Sequence, residues 1–202
     1  MNESVESSAR SGREQVGVPG GSWYTWWRGD ALPALSPLAG FHAEAITQPE
    51  RMAALAHLAV REISDRFARG HRAYEARVAQ ASAGCGWSAT REASIGELGL
   101  TLRMPPRNRY LWSFETAPEW RGQGIYSYLL QYILRHEAEE AERFWIGHEP
   151  GNAASARGIL KAGFELLGDI FVLPGGEKVL APVSGNSERI QAGAAILGAR
   201  II

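Results

Sequence analysis

Between Tyr110 and His136 an aromatic run ends in a proline turn and passes through two glycines into an amphipathic segment. Tyr110, Trp112 and Phe114 alternate with Leu111, Ser113 and Glu115. That is the period of a strand, and aromatic side chains suit a pleated surface. Pro118 has no N–H to give a ladder and ends it. After Arg121-Gly122-Gln123-Gly124, the residues Ile125, Leu129, Tyr132, Ile133 and His136 recur on one helical face. A strand that feeds through glycines into a helix start is a place to hold an anion. The first helical N–H groups lack intrahelical partners, the dipole adds partial positive charge, and glycine lets a ligand reach the backbone. Arg121 adds a full charge. The geometry predicts a ligand that carries a phosphate or a diphosphate.

Two familiar phosphate loops do not fit. A dinucleotide fingerprint needs a third glycine near Ser127, and a P-loop needs Gly-Lys-Ser/Thr, whereas Lys161 and Lys178 lie far along the chain. Residues Arg121 to Tyr126 resemble instead the acetyl-CoA signature of the GNAT N-acetyltransferase superfamily. That signature reads Arg/Gln-x-x-Gly-x-Gly/Ala after a strand and a proline-containing turn. Tyr126 stands at its last, usually small, position. A second stretch, Asn152-Ala-Ala-Ser155 through Lys161-Ala-Gly163-Phe164, resembles the family's helix after the fifth strand. Local chemistry agrees: Asn152 sits where an N-cap belongs, and Gly163 where a helix end wants a left-handed residue. Both motifs occur in order, separated by one helix and one strand. The resemblance covers about residues 110–172 and extends more loosely back to about 41.

The resemblance implies an α/β (α+β) GNAT fold. Its mixed, mostly antiparallel sheet would have six to seven strands flanked by helices, with the fourth and fifth strands splayed. It implies an acyltransferase that moves an acetyl group from acetyl-CoA, as co-substrate, to an amine by direct attack in a ternary complex. The alternative is a non-catalytic acyl-CoA-binding sensor of the same fold. By resemblance, Arg121 and the amides of Gly122, Gln123, Gly124, Ile125 and Tyr126 receive the pyrophosphate. The pantetheine arm lies along Phe114, Glu115 and Thr116, and Asn152 and Ser155 hold its other side. An amine with a pKa of roughly 10.4 needs a base within reach. Many relatives place a glutamate where this chain has Gly147, so Glu115, His148 and Glu149 are the candidates. Ile159 holds the place of the tyrosine that often assists the leaving thiolate, and Tyr126 or another tyrosine is its possible substitute. A thiol pKa of about 8.5 makes the thiolate a fair leaving group unaided. No metal is implied.

With 202 residues, net charge −1 and 45% hydrophobic residues, the chain suits one globular domain. The even charge argues against nucleic-acid binding. The lone Cys85 excludes an internal disulfide framework and fits a reducing, cytoplasmic setting. No stretch approaches the roughly 20 apolar residues of a membrane span, and the N-terminus lacks the apolar core of a secretory signal. Residues 1–20 read as a disordered tail, 21–183 as the domain, and 184–202 as a helical extension packed on it or in a homodimer contact. Trp23, Tyr24, Trp26 and Trp27 read as a segment packed across the sheet or at its edge, with an acceptor wall or subunit contact as alternatives. Arg28-Gly29-Asp30 reads as a turn.

A first strand is expected over 41–47, then one helix from Pro49 to about Arg69. Strands follow over Tyr74–Val78, Cys85–Ala89 and Ile95–Leu102. Beyond the central helix, strands are expected over Arg143–His148 and Phe164–Leu173, with Lys178–Val183 as a hairpin partner. Ile190, Ala194, Leu197 and Ile201 share a helical face. The acceptor is not legible: protein N-termini, small amines, amino acids and drugs are all compatible with the chain.

Overall fold

One nine-stranded sheet carries the chain, which a computed structural model describes over residues 17–202. In chain order the elements begin with β1 (Val18–Trp27), β2 (Phe41–Ile46), α1 (Pro49–Ala56) and α2 (Val60–Ala68). Then come β3 (His71–Val78), β4 (Ala81–Ala89), β5 (Glu92–Ile95) and β6 (Leu100–Arg103). The central part is β7 (Asn108–Thr116), α3 (Ile125–Glu137), β8 (Arg143–His148) and α4 (Ala153–Ala162). The chain closes with β9 (Glu165–Val172), β10 (Lys178–Pro182), α5 (Ser187–Leu197) and β11 (Arg200–Ile201). The sheet order is β11-β10-β9-β1-β8-β7-β4-β3-β2, and β5 and β6 form a separate hairpin. Among the described residues only β7–β8 and β10–β11 pair in parallel. Among the described residues no helix is long and apolar enough to cross a membrane.

Side-chain alternation sorts the core onto two faces. On one, Ile125, Leu129, Ile133 and Ile159 from α3 and α4 pack against Tyr24, Trp26, Leu111, Phe144 and Ile146. On the other, α5 lays Ile190, Ala194 and Leu197 on Trp23, Tyr110, Trp145 and Leu167. Farther along that face, Met52 and Ile63 from α1 and α2 meet Ala73, Cys85 and Trp87. Burying each such aliphatic or aromatic side chain contributes about 1.5–3 kcal/mol. The helical face expected near the C-terminus thus docks on its own domain through residues up to Leu197.

Several expectations need correcting. The sheet has nine strands instead of six to seven. The extra length comes partly from β1, which is neither an edge nor a crossing segment. It lies inside the sheet between β8 and β9, and Trp23 through Trp26 are all buried because helices cover both its faces. Of the expected tail, residues 1–16 lie outside the described residues, while Val18, Pro19 and Gly20 already belong to β1. The single helix after Pro49 is two, because His57 is left-handed (φ 53) and Ala59 is extended. This turn of the axis lets Met52 and Ile63 face one cluster. The strand expected over Ile95–Leu102 is the tip of a hairpin, opened at Gly96–Leu98 and turned at Gly99 (φ 54). Ile201 does not continue α5; after Gly198 (φ 59) it pairs with Leu180 as part of β11.

His71 opens β3 with 6% of its surface exposed, its ring 5.1 Å from that of Trp112. Burial, reinforced by the charges of Arg69, Arg66 and Arg91, holds its imidazole down to about 4 from an ordinary 6.5. The unfolded chain therefore takes up this proton first as pH falls. The stability it confers is complete above pH 6.5 and is lost progressively between 6.5 and 4, by up to ~3 kcal/mol. His71→Phe is expected to flatten that part of the stability–pH profile in urea unfolding; an unchanged slope would assign the titration to other groups.

Candidate active site

Strands β7 and β8 stay paired for only four positions, from Asn108 opposite Arg143 to Leu111 opposite Ile146. Beyond that point each follows its other neighbour. β4 holds β7 out to Thr116, and β1 holds β8 out to His148. A bulge marks the parting: between Trp112 and Glu115, β7 has Ser113 and Phe114 where β4 has only Gly86. Ser113 takes a left-handed conformation (φ 52) to make it. The Phe114 ring lies where a side chain at position 86 would be, so Gly86 is a steric requirement of the bulge. The bulge puts Trp112 and Glu115 on the α1/α2 face and turns Phe114 toward α3.

The opening is a cleft of about 1190 Å³ with walls from both faces of the sheet. On the α3/α4 side its rim is the glycine turn. Gly122 (φ 78) and Gly124 (φ 87) are left-handed, and a Cβ on Gly122 would meet nothing within 4 Å. No side chain caps α3, and its first turn carries no acid. The first helical bond runs from the Tyr128 N–H to the Gly124 carbonyl, so the amides before it have no intrahelical partner. Arg121, Arg157 and Lys161 line this rim. None of the three is in an ion pair among the described residues. Lys161, distant in sequence, brings Nζ to 3.7 Å from where a Cβ on Gly124 would sit. The sequence reading discounted this lysine and did not use Arg157. Their spacing of four on one helix was the available signal.

The other expected binding residues gather here as well. Phe114, Glu115, Thr116, Ile125, Tyr126, Asn152 and Ser155 all line the cleft. Gln123 is not among the residues that line it, and its side chain donates to the Glu119 carbonyl (3.1 Å). Asn152 caps α4 by accepting from the Ser155 N–H (3.0 Å), and Gly163 ends that helix at φ 106. Tyr126 reaches across the cleft floor. Its ring lies 5.1 Å from that of Phe114, and its hydroxyl is 3.4 Å from Ser155 Oγ. Burial raises its phenol pKa. A Cβ on Gly158 would come within 2.5 Å of this ring, which explains a glycine in mid-helix. Ile159 points into the core, fully buried.

The three candidate bases differ in their freedom. His148 Nδ1 lies 2.8 Å from the Glu149 carbonyl, which can only accept, so Nδ1 carries the proton. Nε2 then accepts from the Tyr24 hydroxyl at 2.9 Å, and its lone pair is occupied. Glu115 and Glu149 are exposed and line the cleft. Glu115 sits beside Cys85 across the strands, and its charge adds to burial in pushing that thiol up to about 12. Gly147 sits in a tight place: a Cβ there would be 3.1 Å from the Trp23 ring and 3.2 Å from the Ser22 carbonyl, so a side chain would push the indole back by a few tenths of an ångström. Sequence reading did not find the parts Trp23 and Tyr24 play here, because nothing local announces that β1 inserts beside β8. Among the described residues no group of three His, Cys, Asp or Glu side chains is placed to hold a metal.

The sequence model of the family described as Acetyltransferase (GNAT) domain matches residues 33–165. No curated protein matches the chain. Among solved structures it is similar to a GCN5-related N-acetyltransferase from Kribbella flavida, at 14% identity and a TM-score of 0.52, over 75% of this chain and 56% of that one. It is also similar to an acetyltransferase of the GNAT family from Colwellia psychrerythraea, at 15% identity and a TM-score of 0.51, over 75% of this chain and 54% of that one. The chain thus spans little more than half the length of these two proteins, and the likeness is one of fold.

The seat of Tyr126 makes a prediction that can be read from stability alone. Gly158→Ala should destabilise by ~1–3 kcal/mol, because the new methyl strikes the ring. In a Tyr126→Ala background the same change should stabilise by about 0.5–1 kcal/mol through helix propensity. Urea unfolding of the four proteins completes the cycle, and additive effects would show that the two residues do not touch.

Proposed function

The chain belongs to the GNAT acetyltransferase family, and on that premise we propose that it transfers an acetyl group from acetyl-CoA to an amine within a ternary complex. The observation that carries this reading is the open glycine turn at Gly122–Tyr126, flanked by three cationic side chains where two strands part. Anions bind at such helix starts because unpaired N–H groups and the dipole converge there. In this reading Arg121, Arg157, Lys161 and the turn amides hold the diphosphate. The edge of β7 from Phe114 to Thr116, where the Thr116 carbonyl accepts from Arg121 Nε (3.2 Å), takes the pantetheine arm, with Asn152 and Ser155 opposite.

The chemistry follows from what surrounds the bulge. The amine nitrogen attacks the thioester carbonyl carbon, and a backbone N–H of the bulge stabilises the charge that develops on oxygen. One such fixed donor is worth about 2.7–4 kcal/mol. The carbon–sulfur bond then breaks. The amine proton passes to a carboxylate, directly or through one water, and Glu115 suits this better than His148 because it is unencumbered. The departing thiolate takes a proton from solvent or a hydrogen bond from Tyr126, whose phenol stays protonated because it is buried. A second reading, a sensor that binds acyl-CoA without turnover, is favoured by Gly147 and Ile159, which leave two familiar catalytic places without a functional group.

Acetyl-CoA at about 100 times its dissociation constant should add roughly 2.7 kcal/mol to stability. Gly124→Glu should abolish that gain by placing bulk and negative charge in the turn. Lys161→Glu should weaken binding about tenfold, in line with the loss of a charge-assisted contact. A wild-type protein that shows no stabilisation would remove both readings. Binding without release of free thiol across a broad amine panel would leave only the sensor.

A further inference from the structure

Apart from Glu149, just past the end of β8, the charged side chains of the cleft are sorted by side. The cationic side chains that line it, Arg121, Arg157 and Lys161, come from the approach to α3 and from α4. The opposite mouth is built from β1, β7 and the tip of the β5–β6 hairpin, and the charged side chains it presents are Glu97 and Glu115. Both are exposed and outside the ion pairs of the described residues. The walls between them are apolar and flat: Tyr110 and Trp112 from β7, with Ile95 and Leu98 from the hairpin. Glu97 stands near enough to Tyr110 that its charge adds to burial in raising the phenol. Behind the Trp112 ring of this wall, Arg66 is 8% exposed. It is committed to Glu62 (2.7 Å) and to the faces of Trp112 (4.6 Å) and Trp87 (5.0 Å).

We propose that this mouth admits an arylalkyl amine: a primary amine, cationic in solution, with a flat apolar body and no carboxylate beside the nitrogen. The claim that the amine is the reacting group rests on the transferase reading above; the claim about what the mouth binds does not. Two unpaired carboxylates attract the ammonium group, and Glu115 lies next to the bulge where the proton must leave. The same carboxylates repel an amino-acid carboxylate, and among the described residues no Arg or Lys lining this mouth answers it. Discrimination by a repulsive element of this kind needs no close fit. Tyr110, Trp112, Ile95 and Leu98 supply the apolar surface for the body of the ligand.

Matched probes that differ only in the carboxylate decide the matter. Binding of tryptamine and tryptophan, and of phenethylamine and phenylalanine, is measured by calorimetry on the full chain saturated with CoA. Each amine should bind at least about tenfold more tightly than its amino acid, and the preference should shrink at high salt. Glu97→Gln should raise the amine's dissociation constant, and its KM in a thiol-release assay, about fivefold with kcat unchanged. Acetyl-CoA binding should not move. Glu97→Lys should narrow or invert the preference. Equal or tighter binding of the amino acids, no binding of either member of both pairs, or indifference to both Glu97 variants overturns the proposal. Tryptamine that binds selectively yet is never acetylated leaves the proposal standing and removes the transferase reading instead.

Discussion

Everything that makes a site in this molecule depends on the parting of β7 and β8 after Leu111 and Ile146. Parallel strands zipped to their ends would leave no gap in the sheet. Here each strand is claimed by its outer neighbour, β7 by β4 through a bulge and β8 by β1 along its whole length. The backbone groups that face each other across the gap then lack sheet partners and need a ligand or water to satisfy them. An extended arm with its own amides meets that need, which is why a strand-like cofactor tail and a splayed sheet belong together. Ser113 stores the local strain, a left-handed residue with a side chain, of the order of 1–2 kcal/mol. The close seat of Phe114 over Gly86 holds it there.

The second determinant is β1. The family match begins at residue 33, after this strand, and ends at 165, before most of β9 and all of α5. β1 and α5 pack on each other: a Cβ on Gly193 would lie 3.2 Å from the Trp23 ring and 2.8 Å from Leu167. Arg189 of α5 also grips Asp30, just past β1, at 2.6 Å. What lies outside the match therefore acts as one addition to the sheet, and it reaches the chemistry. Trp23 occupies the space beside Gly147, and the Tyr24 hydroxyl occupies the free nitrogen of His148. A side chain at position 147 would have to displace that indole by a few tenths of an ångström. Across the cleft on β7, Glu115 is exposed and meets no such neighbour.

How much of this the residues announce depends on whether the cause is local. The strand from Tyr110, the α3 face of Ile125, Leu129 and Ile133, the Asn152 cap and the Gly163 stop are set by near neighbours, and they appear where the pattern puts them. The turn that gathers Arg121, Gly122 and Gly124 is likewise a local event. β1 is different. Four consecutive buried residues, Trp23 to Trp26, show no alternation because both faces are covered, so their pattern does not distinguish an interior strand from a packed loop. Lys161 comes to the glycine turn only because α4 runs alongside α3; its spacing of four from Arg157 shows that the two share a helix face but not what that face meets. The break at His57 is a left-handed residue that is not a glycine, and propensity gives no warning of it.

The far end of α3 explains why its near end is held in one place. Glu137 closes the helix with no exposed surface, although an acid at a helix C-terminus is opposed by the dipole. It is tolerated because the Tyr74 hydroxyl (2.8 Å), Arg72 Nη1 (3.1 Å) and Arg109 Nε all donate to it. Desolvating such a group offsets most of what its partners return, so its value lies in specificity more than in stability. Only one placement of the helix satisfies all three donors at once. Arg72 sits on β3 and Arg109 on β7, so the helix is registered against the same strand that carries the bulge. Sliding α3 by one turn, about 5.4 Å, would leave the buried Glu137 carboxylate and the buried Arg109 guanidinium without each other. The glycine turn and the bulge are thereby held at a set separation by contacts at the far end of α3 and the start of β7.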